Sequence, residues 1–70
     1  MPGMMDRTVQ IRNELRTTRR FAEEIEAMAA PERAAALLDL LPTFEKAVNL
    51  SALQAFNEKA RQWIDAHPQP

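Results

Sequence analysis

Residues 4–29, MMDRTVQIRNELRTTRRFAEEIEAMA, decide the fold. Within them Met4, Thr8, Ile11, Leu15, Thr18, Ala22, Ile25 and Ala29 recur at alternating spacings of four and three. That alternation puts one residue per turn along one side of an α-helix, and it is the heptad spacing of helices that pair along a seam. Asp6 is a good N-cap, and no helix breaker follows it until Pro31, so a first helix is expected over residues 7–29. At 1.5 Å per residue such a helix is roughly 35 Å long, more than a chain this short needs for its own packing.

Outward from this helix, the rest of the chain reads as shorter helical pieces that can fold back onto the stripe. Pro31 suits a helix's first turn, where its missing N–H costs nothing, and Glu32 favours the same end by its charge. Leu37, Leu38, Leu41, Phe44 and Val48 continue a helical period across Pro42. An internal proline removes one hydrogen bond and clashes with the preceding turn, at about 3 kcal/mol. A break or kink near Leu41 is therefore expected, with a short third piece over residues 42–48. Asn49 is expected to end that piece in the left-handed conformation. Ser51 with Gln54 matches a capping box, with Leu50 as its hydrophobic staple. The last helix is expected over residues 52–66, with Leu53, Phe56, Ala60 and Trp63 on one face, Ile64 beside them, and Pro68 as its stop. No segment alternates with the two-residue period of a strand. The expected fold is all-α: a small bundle of three to four helices with one long N-terminal helix. Residues 6–67 form its single domain, between a flexible tail over 1–5 and a short tail over 68–70. Two further methionines follow Met1 closely, so the native start could lie at Met4 or Met5.

Seventy residues with net charge −1, pI near 5.7 and no cysteine narrow the classes. The apolar area so short a chain buries, at about 25 cal/mol per Å², roughly cancels about 1.5 kcal/mol of ordering entropy per residue. Disulfides and thiolate zinc sites are excluded by composition, and a single histidine leaves little for a metal. Oligomerisation or a binding partner remains as the source of extra stability. The charge argues against a general nucleic-acid binder. The start, MPGMMDRTVQ, lacks an apolar core of signal-peptide length, and the run over 34–41 is too short to span a bilayer. A soluble, cytoplasmic protein is expected. Arginine outnumbering lysine, with many alanines, points to a GC-rich bacterial coding sequence.

Candidate functional residues lie on the first helix. Ile11, Leu15, Thr18, Phe21, Ala22, Ile25 and Met28 form the candidate partner-binding surface, with small Thr18 and Ala22 at its centre allowing close approach. Such a stripe serves the chain's own core, self-association, or docking of another protein, and one edge can serve each purpose. The charges are segregated: Arg7, Arg12, Arg16, Arg19 and Arg20 precede Glu23, Glu24 and Glu26. This order opposes the helix dipole, whereas antiparallel pairing of two copies sets each basic half beside the other's acidic half. Arg12, Arg16, Arg19 and Arg20 share about a third of the circumference and are candidate phosphate contacts, although Glu23 and Glu26 share that face. His67 is expected to be exposed at a helix end, and Trp63 to be in the core. No serine has a base near it, no acid stands at ligand spacing, and one glycine cannot build a phosphate loop. The expectation is no enzyme and no cofactor. It is a helical protein–protein interaction module, an adaptor, inhibitor or regulatory or chaperone-like protein, that self-associates as a homodimer through its first helix. The alternative is a small nucleic-acid-binding transcriptional regulator using the arginine face.

Overall fold

The computed structural model describes residues 6–69, and the tail over 1–5, Met4 of the stripe included, lies outside them. Three α-helices follow one another: α1 (Arg7–Glu26), α2 (Ala30–Glu45) and α3 (Leu50–Ala66). Among the described residues there is no strand. The all-helical expectation holds, with three helices packed together.

Asp6 caps α1 as expected, its side chain accepting from the Thr8 N–H at 3.4 Å. The helix stops three residues earlier than expected, at Glu26: Ala27 still bonds back to the Glu23 carbonyl, but the Met28 N–H tightens onto the Ile25 carbonyl, three residues back, at 3.1 Å. Arg33 reaches back from α2, its Nη1 donating to the Glu26 and Met28 carbonyls at 3.5 Å each. A cation there suits the negative end of α1 and pins a tight, glycine-free reversal. Pro31 lies in the first turn of α2, as its chemistry predicts.

Three expectations about the later chain are corrected. First, α2 is not broken near Leu41: it runs through Pro42 to Glu45, so there is no separate helix over 42–48. Pro42 and Leu38, four residues before it, are both exposed, so the carbonyl that loses its partner is left to water and not to the core. Second, α3 begins at Leu50, and its cap is Asn49, whose side chain accepts from the Ala52 N–H at 2.8 Å. Ser51 is inside the helix. Third, Asn49 is extended (φ −150°, ψ 175°) and not left-handed, because it opens α3 instead of closing α2.

α2 and α3 are antiparallel: Asp39 meets Trp63, Thr43 meets Lys59 and Phe44 meets Phe56. α1 packs most extensively on α3 and least on α2. The core joins Phe21, Ile25 and Met28 to Ala36 and Leu40 of α2 and to Phe56, Ala60 and Trp63 of α3. Trp63 is buried as expected, and its indole N–H donates to Asp39 Oδ2 at 2.7 Å. That bond satisfies the one polar atom its burial would otherwise leave unpaired. His67 is exposed and closes α3: its ring stacks on Trp63 with centroids 3.8 Å apart, and Nδ1 lies 2.8 Å from the Trp63 carbonyl oxygen. No helix among the described residues is long and apolar enough to cross a membrane.

Candidate interaction surface

The core of α1 does not follow the predicted stripe. Its inward line passes through half-buried Glu14 and Thr18 and buried Phe21, Ile25 and Met28, again spaced four and three but turned towards α3. Thr18 and Ile25 belong to both lines. Along the predicted stripe, Ile11, Leu15 and Ala22 remain exposed. The candidate partner-binding set therefore divides: Phe21, Ile25 and Met28 are taken up by the chain's own core, Ile11, Leu15 and Ala22 face outward, and Thr18 lies half-buried between them.

A comparable division runs along α2 and the short segment that follows it. Its core-facing line is narrow, with Ala36 and Leu40 buried and Thr43 and Ala47 half-buried. The other apolar side chains of the run point elsewhere. Leu37, Leu38, Leu41, Phe44 and Val48 are all exposed, Leu38 at 78%. Phe44 rests one edge on Phe56, ring centroids 5.2 Å apart and planes at 63°, and leaves the rest open.

Part of each uncovered line borders a groove between α1 and α2 of about 410 Å³. Thr18, Ala22 and Ile25 form its α1 wall, Leu37, Leu41 and Phe44 its α2 wall, and Phe21, Leu40 and Phe56 its floor. Glu26 and Arg33 stand at one end. Ile11 and Leu15 continue the α1 wall beyond the other end, since they precede Thr18 and Ala22 on the same side of the helix. Monomeric soluble proteins seldom leave contiguous apolar surface of this kind open unless something binds it.

The opposite side of α1 is closed differently. Asn57, 6% exposed, spans α3 to α1: its amide nitrogen donates to the Glu14 carbonyl at 3.0 Å and to Glu14 Oε1 at 2.8 Å. The Thr18 hydroxyl has one proton and two acceptors in reach, Asn57 Oδ1 at 2.6 Å and the Glu14 carbonyl at 2.9 Å. The shorter contact is the stronger donation, which leaves the Glu14 carbonyl to the amide. Every polar atom of Asn57 is thereby paired, and a wrong α1–α3 register would orphan them. Sequence reasoning passed over Asn57, although its spacing from Leu53 and Ala60 places it on the apolar face of α3.

Arg12, Arg16, Arg19 and Arg20 are exposed on the outer side of α1. Arg19 Nε pairs with Glu23 at 3.7 Å, and Glu23 borders the same shallow depression as Arg16, Arg19 and Arg20. An anion approaching these arginines meets a carboxylate among them. Among the described residues no three His, Cys, Asp or Glu side chains converge as a metal-ligand set. Comparison with protein-family models, curated proteins and solved structures gives no match.

Proposed function

We propose that this chain is a helical protein–protein interaction module that acts by binding through the α1–α2 face, as an adaptor, inhibitor or regulatory or chaperone-like protein, and that self-association through α1 is part of that activity. One observation carries the reading: Leu37, Leu41 and Phe44 of α2 line an open groove instead of filling the core, and Ile11 and Leu15 of α1 lie exposed beyond its end. Such a groove accepts an amphipathic helix, which lays residues spaced three and four apart into it. The test is a photo-crosslinking amino acid at Leu41 in the living cell. Crosslinking to protein is expected there and not from a control position at Glu58 on α3. Equal, trace labelling from both positions would overturn the reading.

A second reading, a nucleic-acid-binding regulator, is favoured by the exposure of Arg12, Arg16, Arg19 and Arg20 along one side of α1. Phosphate contacts would make binding fall steeply with salt. A gel shift that persists at physiological salt and is lost when Arg12, Arg16 and Arg19 become Gln would move this reading ahead of the first.

A further inference from the structure

α1 is apolar beyond the groove at one end and borders the groove at the other. Ile11 and Leu15 form an exposed ridge on its first half with no α2 residue beside them in the groove lining. On its second half, Ala22 and Ile25 face Leu37 and Leu41 across an unfilled gap. Ridge and gap lie on the same side of one helix. We infer that the occupant of the groove is α1 of a second copy, running antiparallel about a two-fold axis near Thr18, so that Ile11 and Leu15 of each copy fill the gap of the other. This deepens the interaction-module reading and rests on it.

Three observations support a second copy over an unrelated partner. The first is the geometry just described. A two-fold operation exchanges the halves of α1, so the same patch supplies both ridge and gap, as a self-complementary interface requires. The second is charge. Arg12 flanks the exposed line on its first half, and Glu26 flanks it on the second. Both lie on the same edge of the line, and antiparallel copies set Arg12 of each beside Glu26 of the other, whereas parallel copies leave the two at opposite ends. The third is residue size at the crossing point. Ala22 is exposed on the α1 wall with Thr18 beside it, and these small side chains let two helix backbones approach where ridges enter grooves. In cross-section α1 of each copy then lies over the α1–α2 gap of the other, giving a four-helix layer with α3 outside it.

The absence of native cysteine makes the test clean. Sedimentation equilibrium of the purified chain at tens of micromolar should show a dimer. Leu15→Cys and Ala22→Cys chains, mixed and oxidised, should crosslink to each other and not to themselves. Self-linking of each would mean parallel pairing and would overturn the inference. Glu26→Arg should raise the dimer dissociation constant about tenfold, and mixing with an Arg12→Glu chain should recover it. Leu15→Glu with Leu41→Glu should abolish the dimer while circular dichroism stays helical, since both side chains are exposed in the single chain. A dimer indifferent to these changes uses another surface and refutes the inference. A folded monomer refutes it as well, and crosslinking from Leu41 to a different protein would then leave the interaction-module reading standing, while none would remove both.

Discussion

Where α1 meets α3, a buried amide bonds across the seam and Phe21 and Ile25 pack on Phe56, Ala60 and Trp63. Where α1 meets α2, only Ala36 and Leu40 turn into the core, and Leu37, Leu41 and Phe44 line an open groove. Both seams are written on one helix with the same heptad spacing, separated by a small rotation and sharing Thr18 and Ile25. The difference teaches that apolar periodicity marks a helix face as able to pack without saying which of two adjacent lines the chain itself uses. The line supplied with a polar partner, Asn57, is the one that closes. A purely apolar line has no directional requirement and can be left for another occupant.

Four changes sharpen or break this contrast. Trp63→Ala, on the closed side, should cost about 3–5 kcal/mol and leave so small a domain largely unfolded in thermal or urea titration. The native protein should show blue-shifted tryptophan emission that reddens on unfolding. A water-like native maximum would contradict a closed core. Next come two neighbours on α2 that differ only in direction: Leu40 is 3% exposed and Leu41 is 47% exposed. Leu40→Ala should cost about 2–5 kcal/mol, whereas Leu41→Ala in the monomeric chain should cost within about 0.5 kcal/mol. Similar losses in both would mean that α2 is rotated and that the groove does not exist. Asn57→Ala should cost about 0.5–1.5 kcal/mol by removing the bridge from α3 to Thr18 and Glu14, with the Thr18 hydroxyl keeping the Glu14 carbonyl as its acceptor. A double-mutant cycle with Thr18→Val should show coupling, and additivity would remove the polar bridge from the account. The smallest effect is expected at Glu23→Gln, about 0.3–0.5 kcal/mol for an exposed i,i+4 pair with Arg19. A loss above 1 kcal/mol in the monomer would show that this acid does more than pair on the surface.

The same contrast changes how the first helix should be probed. Ile25 lies on both lines and is buried at 8% exposure, so Ile25→Asp would unfold the chain whatever α1 binds. Ile11, Leu15, Ala22 and Leu41 are the informative positions, because they leave the core intact.

Local chemistry determined much of the molecule by itself. Asp6 as a cap, Pro31 in a first turn and the 3.6-residue periodicity act within a few residues, so the helical class and the approximate extents of α1 and α3 are legible in the sequence. The break foreseen at Pro42 was a local rule overridden, since an exposed proline near the end of a helix can leave its carbonyl partner to water. Which apolar line of α1 faces inward, which leucines of α2 are left outside, and the roles of Asn57 and Asp39 were decided only by tertiary structure. Those outcomes depend on pairings across 24 to 43 residues of sequence, such as Asp39 with Trp63 and Glu14 with Asn57. Hydrophobic burial is non-directional and accepts either line equally, so the choice falls to the few groups whose hydrogen bonds are met in one arrangement and lost in the other.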